Sequence, residues 1–570
     1  MFSNLPDTAS ARRLVGALVN RGIDTFFGIP GGPICPLFEA IRLNPKARLI
    51  ESRHESHAVF AASLYYRASG KIPVVVVTAG PGMTNAVTGV ASASLERIPM
   101  LVISGDVPWA FKGECLAQDS GPEGVYTEAI YAPITRGRYR AARPESVVTQ
   151  ALAALYCADN SVNPGPALFV LPLNHAMAPC EDTEVCEPTS TRDFFSPLKD
   201  VLQKTVDLLK GARRPLIVVG AGCRGAEKDL AALFDSTNIP FVTTPRGKGL
   251  VDETLNGSLR NGGMAASIWA RKYTREPVDV CLALGTDLDD TSMGPTRYVG
   301  AGGKLIHVDF DPRVFNRNVP TEMGIVSDVG NFIQHLTHFE VQNPHVRAIV
   351  DEIKWESAFD FVDHEEDSYF PIRPHRILAD LEASAPSNAR FVTDIGEHML
   401  FALHYLTAKP GNFFIQLNLG SMASGVAGAI GLAVADPTRP VICIAGDGCM
   451  QMAGMEALLA LKEKLPILFV VFNDGRYNMV HHGMRQIFGE ASTYEMPPVD
   501  FTVWAQSMGL PNALITNPGE VTKELVSNLL QNGPALLDVR IDASIRIRGG
   551  GRVEALQHMS MLSKAQGTPV

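Results

Sequence analysis

The chain has no C-x-x-C pair. Its nine cysteines stand apart, at positions 35, 115, 157, 180, 186, 223, 281, 443 and 449, and the count is odd. That pattern argues against a disulfide framework and a cysteine zinc site, and it suits a reducing compartment. No uninterrupted apolar run reaches about 18 residues, so a membrane-spanning helix is not expected. The opening stretch, MFSNLPDTASARRLV, lacks the basic-then-apolar pattern of a secretory signal. A cytoplasmic location is the expectation. Positive charge is not in excess either: 50 basic against 60 acidic residues leave a formal charge of −10. That balance speaks against nucleic acid or an anionic membrane as the partner and leaves small-molecule substrates. A G-x-G-x-x-G turn in a proper strand–turn–helix setting is also missing. The weak match GAGCRG at 220–225 does not make the chain a nicotinamide enzyme.

What the chain does hold is apolar sequence in short pieces. Of its 570 residues 46% are hydrophobic and 19% charged, which fits large buried cores. Such a length implies three or four domains, at roughly 150 residues each. Three blocks can be read, at 1–178, 190–345 and 370–550, with a tail at 551–570. The first alternates apolar runs such as IPVVVVTAGPG and PMLVISGDVP with amphipathic SHAVFAASLYYRA and MTNAVTGVASASLE. The second carries RPLIVVGAG, IPFVTTP, DVCLALGTD and KLIHVDFDP. The third carries ARFVTDIGE, PVICIAGDG, LPILFVVFNDG and PALLDVRID. The polar stretch 174–197 reads as a linker and the glycine-rich tail as a flap. This alternation specifies an α/β class with three open parallel sheets. Ligands of such sheets bind at the carboxyl ends of the strands. Gly28–Gly32, Gly80–Gly82, Gly446–Gly448 and Asp474–Gly475 fall at such ends.

Two acids stand at strand ends where packing demands none. Asp447 and Asp474 are 27 residues apart (474 − 447), room for one helix, starting near Gln451, and one strand. A strand–helix–strand unit brings both carboxylates to one sheet edge. Oxygen ligands suit a hard cation, and Mg²⁺ takes few of them from protein and the rest from phosphate and water. A helix N-terminus at the same spot favours phosphate. The pattern points to a metal-bound diphosphate. Asp447 alone could equally be a helix N-cap; the second acid tips the balance.

Gly-Asp-Gly followed after about 26 residues by an Asn-Asp pair resembles the thiamine-diphosphate motif, and the chain resembles the acetolactate synthase, pyruvate oxidase and pyruvate decarboxylase superfamily. The stretch 49–89, with R-H-E and GPGMTN, supports the same resemblance, as do FGIPGG, CLAQDSG, DIGEHM and NLGSMASG. The resemblance implies pyrimidine-binding, central and diphosphate-binding domains in that order. It implies Mg²⁺ on Asp447, Asp474 and the main-chain carbonyl of Arg476, with Asp474 favoured over Asn473 as the ligand of the pair. Glu55 would activate the aminopyrimidine, and Gln118 would serve catalysis nearby. Gly31, Pro81, Asn85, Gly396, His398, Gly420, Met422, Gly448, Cys449, Asn478 and Met479 would line the cofactor, Met422 as a wedge between its rings. A homodimer or homotetramer with shared sites is implied, Glu55 coming from one subunit and 446–476 from the other.

Departures from acetolactate synthases bear on FAD and on the acceptor. Asn163 stands where they have an arginine that contacts FAD, so FAD is an alternative to a flavin-free enzyme and is not favoured. Ala265 replaces a histidine. Thr291 replaces the arginine that grips the acceptor's carboxylate, a job a hydroxyl cannot do. Gly483 replaces the tryptophan that narrows the acceptor pocket. Glu397 stands where glutamine is usual, an acid beside a diphosphate. His481 and His482 are candidates for acid/base work near the reacting carbon, or else surface or interface histidines. The reading is a carboligase that decarboxylates a 2-keto acid, pyruvate being the expected donor, and adds the acyl-anion unit to a carbonyl. The alternatives are a simple 2-keto acid decarboxylase, an ordinary acetolactate synthase and a non-catalytic homologue.

Overall fold

The computed structural model describes residues 5–114, 116–160, 162–181, 197–294, 298–490, 492–548 and residue 553. Its described strands form three six-stranded sheets, parallel in every paired strand. The α/β expectation therefore holds. With strands numbered in chain order within each sheet, the first and third sheets share the order 2-1-3-4-6-5. The middle sheet reads 6-5-4-1-2-3, the doubly wound order of dinucleotide-binding folds.

Central strands such as Val74–Val77 and Ile467–Asn473 are buried at every residue. Helices cover both faces of a parallel sheet, so its inner strands are apolar without alternation. That is why they are legible as continuous runs. The strands Arg138–Arg140, Met323–Val326 and Asn512–Ile515 are short and partly exposed, and carry no such signal.

Three local expectations change. The linker at 174–197 starts with structure, because Leu173–Met177 is helical, and its 182–196 portion lies outside the described residues. So does the tail at 551–570, apart from Val553. The helix after Gly446 begins at Asp447, not near Gln451. It runs to Ala453, passes through a 3₁₀ turn at Gly454–Glu456 and resumes at Ala457–Lys462. The break sits where Gly454 passes under Trp504, with room for no side chain: a Cβ there would lie 2.6 Å from the indole.

The first and third domains share one apolar core, which includes Leu64, Val90, Ile430 and Phe469. Its centre is the contact between the helices Glu55–Ser69 and Ser424–Ala435. The second of these, SGVAGAIGLAVA, is built of small residues, and a Cβ on Gly431 would overlap the Ala61 carbonyl. Among the described residues, no helix is long and apolar enough to cross a membrane.

Candidate active site

In the third sheet the strand order reverses between Arg390–Thr393 and Val441–Gly446, which are hydrogen-bonded neighbours. A ligand crevice belongs outside the carboxyl ends at such a reversal. A cavity of about 220 Å³ opens there. Gly396, His398, Gly420, Met422, Asp447, Gly448, Cys449, Asp474, Arg476, Asn478 and Met479 all line it. The structure thus gathers, from four separate segments, every residue of the third domain that the sequence singled out for cofactor or metal.

Asp447 is not an N-cap. Gly446 holds that position, and no side chain caps the helix. Asp447 Oδ1 accepts from the N–H of Gly448 and Oδ2 from the N–H of Gly475, both at 2.7 Å. The second bond ties together the ends of two adjacent strands. Asp474 Oδ1 accepts the Arg476 N–H at 3.4 Å. Burial, and then the charge of Asp447, push the Asp474 carboxyl up to about 7. Burial also raises Asp447. A buried acid and a half-buried one that repel each other are what a divalent cation relieves. Among the described residues no three His, Cys, Asp or Glu side chains gather as a metal cluster. A cation here would need further oxygens from its ligand, as Mg²⁺ on a diphosphate has. Asn473 turns away, donating to Val499 O at 3.1 Å and Asp538 Oδ1 at 2.9 Å.

The rest of the cavity suits a phosphate. Burial lowers the His398 imidazole to about 4, so at neutral pH it is uncharged. Its Nε2 is buried without a protein partner. The helices Glu397–Tyr405 and Asn478–Phe488 both start at the cavity wall, and the positive end of a helix favours an anion there. Gly448 is required: a Cβ would lie 2.8 Å from the Tyr477 ring and 3.2 Å from Met422 Cε. Cys449 Sγ donates to Ile395 O at 3.1 Å. Sequence reading missed Phe401, Phe472, Tyr477, Ile541 and Ile545, which complete the lining. They are aromatic and aliphatic residues of a helix, a strand and turns, and only the tertiary fold brings them here.

Glu55, Gly31, Pro81, Asn85 and Gln118 form a second group at the carboxyl edge of the first sheet. Glu55 opens its helix, and its Oε2 accepts from Asn85 Nδ2 at 3.1 Å. Pro81 opens the next helix, Pro81–Leu95. A Cβ on Gly31 would run into Thr78, and one on Gly80 would meet Gln118 Cα at 3.2 Å. The left-handed φ of Gly80 is 64° and that of Gln118 is 62°, which makes this a tightly turned pair of loops. None of these five residues lines the 220 Å³ cavity. Instead Arg53 N and His57 Nδ1 reach Glu456, at 2.8 and 3.0 Å, nine residues beyond Asp447.

His481 and His482 line neither that cavity nor the one beside it. His481 Nδ1 bonds Ser492 O at 2.9 Å, and His482 Nδ1 lies 3.3 Å from Glu397 Oε1. The unexpected acid thus has an imidazole partner. A second cavity of about 380 Å³ adjoins the first, sharing Ile395, Gly420, Met479 and Val480 with it. Thr291 and Gly483 both line it, and Val553 fills part of the space over Gly483, where a Cβ would lie 2.8 Å from Val553 Cγ2. Ala265 is buried beside it in the fold, and its carbonyl is 3.3 Å from His404 Nδ1.

The corresponding crevice of the middle sheet lies at the turn between the strand Pro215–Val219 and the helix Glu227–Thr237. A Cβ on Gly220 would strike the Gly285 carbonyl, so the glycine turn is closed against the next strand. Asp287, Asp289, Asp309 and Asp311 stand at that edge, and Arg97 and Arg246 are taken up by them. Arg136 donates to the carbonyls of Asn163 and Pro164 at 3.0 and 3.1 Å.

Comparison with known proteins agrees with this geometry. Residues 9–124 match the thiamine pyrophosphate enzyme N-terminal TPP-binding domain, 202–336 the central domain and 394–539 the C-terminal TPP-binding domain. The acetolactate synthase large subunit of Parasynechococcus marenigrum (strain WH8102) is 30% identical over 560 residues, covering 95% of this chain and 88% of its own. A probable acetolactate synthase large subunit of Methanocaldococcus jannaschii is 29% identical, with 95% and 94% covered. The isozyme 3 large subunit of Escherichia coli (strain K12) is 28% identical, with 96% and 98% covered. The chain belongs to the thiamine pyrophosphate enzymes and is similar along its length to their acetolactate synthase large subunits.

Proposed function

We propose that this enzyme uses thiamine diphosphate and Mg²⁺ to decarboxylate a 2-keto acid, with pyruvate the expected donor, and to add the acyl unit to a carbonyl acceptor. The observation that carries this is the pair of buried Asp447 and half-buried Asp474 on a cavity walled by His398 and two helix N-termini. Asp447, Asp474 and the Arg476 carbonyl would hold the cation. That carbonyl already accepts from Asn478 N at 2.9 Å and keeps a second lone pair. His398 and the helix N–H groups would bind phosphate oxygens. Met422, on the cavity wall, would set the angle between the cofactor's rings. When bound, thiamine diphosphate supplies the electron sink for decarboxylation and the nucleophilic carbon for ligation. Glu55 would hold a proton at the pyrimidine ring, with Asn85 orienting its carboxylate.

Within one chain, Glu55 and the 220 Å³ cavity do not meet. A homodimer, or a dimer of dimers, in which Glu55 of one subunit faces Asp447 of another completes the site. The domain roles follow: 1–178 pyrimidine-binding, 190–345 central and 370–550 diphosphate-binding. The adjoining 380 Å³ cavity favours ligation over simple decarboxylation, since it gives an acceptor a place beside the cofactor.

The test is to strip the protein with a chelator and reload it with thiamine diphosphate and Mg²⁺. Carbon dioxide release and products from pyruvate with a panel of carbonyl acceptors are then measured by mass spectrometry. Cofactor- and Mg²⁺-dependent ligation products are expected. Carbon dioxide with free aldehyde alone would make the enzyme a decarboxylase, and no turnover by loaded protein would remove the reading.

A further inference from the structure

The 380 Å³ cavity between the middle and third domains also says what kind of acceptor it takes. Its walls are largely methionine and aliphatic: Met264, Met399, Leu417, Met484 and Ile487. Methionine is unbranched and polarizable, and it moulds to flexible apolar chains. None of the described residues lining the cavity is Lys, Arg or His, and the charged ones are Asp289 and Asp290. The neutral polar side chains on the wall each make a hydrogen bond within the protein. Thr291 Oγ1 donates to Asp289 Oδ1 at 2.9 Å, and Asn418 Nδ2 donates to Leu95 O at 2.8 Å. The nearby guanidinium of Arg246, which does not line the cavity, donates through Nη2 to Asp287 and Asp289 at 3.1 and 3.2 Å, while its Nε is buried without a protein partner. Burial raises Asp289, but Arg246 and the donors from Ser292 and Thr291 outweigh it, so the acid stays ionised below its ordinary range.

A carboxylate entering this space would meet two acids and, among the described residues lining it, no cationic side chain, and burying an unpaired charge is costly. A neutral carbonyl with an extended chain would meet apolar wall. On the reading that the adjoining site is a thiamine-diphosphate carboligase, we infer that the acceptor is a neutral aldehyde or ketone bearing an unbranched apolar chain, and not a second 2-keto acid. The ligation then balances simply. The donor keto acid loses carbon dioxide, a carbon–carbon bond forms to the acceptor's carbonyl carbon, and that carbonyl oxygen takes up a proton to become a hydroxyl.

The experiment uses the holoenzyme with pyruvate as donor and two acceptor series, straight-chain aldehydes and 2-keto acids of equal length. For aldehydes, kcat/KM should rise by about fourfold per added methylene over the first few carbons, the value of burying a CH₂. Keto acids of matched length should be at least about tenfold poorer, the cost of one unmet charge. Thr291→Arg should close that gap by restoring a carboxylate partner. Ile487→Trp, at a position 48% exposed where the fold tolerates bulk, should lower kcat/KM for long chains and spare short ones. Efficient acetolactate formation, or equal rates along the aldehyde series, would overturn the inference. Calorimetric titration of cofactor-loaded protein with butanone and octanone separates this from the parent reading. If no keto acid is decarboxylated yet octanone binds far tighter, the carboligase reading fails and the apolar cavity stands. Equal affinities overturn the cavity proposal whatever the turnover.

Discussion

At the scale of single residues, chemistry here depends on what burial does to charge. Burial and the charge of Asp447 raise the Asp474 carboxyl, so the two acids stand as a repelling pair. Asp474→Asn keeps an oxygen ligand and removes one charge, so the cofactor-free protein should gain stability, with a melting temperature several degrees higher. The further rise on adding Mg²⁺ with thiamine diphosphate should shrink; thermal melts with and without both ligands check this. Glu55→Gln keeps the Asn85 contact but cannot hold a proton in the same way. Turnover should fall by at least about two orders of magnitude, the usual size of acid–base contributions, while circular dichroism and cofactor affinity persist. A variant with near wild-type turnover would refute the assigned role. His404 gives a pH test remote from the site. Burial lowers its imidazole from an ordinary 6.5 to about 4, although Asp360 pulls the other way. The folded state therefore binds that proton less readily than the unfolded chain. Its contribution is complete above 6.5 and is lost as pH falls through about 4, by on the order of 3 kcal/mol. Stability should decline across that window in wild type, and less steeply in His404→Gln.

At the scale of elements, the contact between the Glu55–Ser69 and Ser424–Ala435 helices sets how the first domain sits on the third. Gly431 is indispensable to it because its missing Cβ leaves room for the Ala61 carbonyl. Gly431→Ala should cost about 3 kcal/mol or more through overpacking against backbone that cannot yield. Gly16 is the contrast. It lies inside the helix Ser10–Val19, and a Cβ added there would find nothing within 4 Å. Gly16→Ala should stabilise by about 0.5–1 kcal/mol, since only helix propensity changes. Urea titrations of the two variants should move in opposite directions.

At the scale of the whole molecule, the two halves of the proposed site sit on different sheets and do not meet within one chain. Activity should therefore require assembly. Glu55→Gln and Asp447→Ala proteins, each inactive, should regain activity when mixed and allowed to exchange. A mixed pair gathers both substitutions into one of its sites and leaves the other intact. Exchange is verified independently with isotopically labelled subunits in native mass spectrometry. Exchange without recovered turnover would rule out a shared site.

The class of fold and most of the site were determined by local sequence. Inner parallel strands such as Val441–Gly446 and Ile467–Asn473 must be apolar on both faces, and the residues just past them must turn sharply, so GDG and NDG mark the sheet edge by themselves. The helix onset at Asp447 was not legible, because Gly446 can end a strand or cap a helix and only its position at the sheet edge decides. The pairing of His482 with Glu397 was equally hidden: 85 residues separate them, and they lie on two different helices that only the fold brings together. Tertiary structure alone also decided that Thr291 and Gly483, from different domains, share one cavity, and that Glu55 stands apart from the cavity of Asp447 within the chain. Sequence sets which residues end strands, a local matter of burial and turn geometry. Which of those ends face one another depends on how sheets and subunits pack, and that is a property of the whole surface.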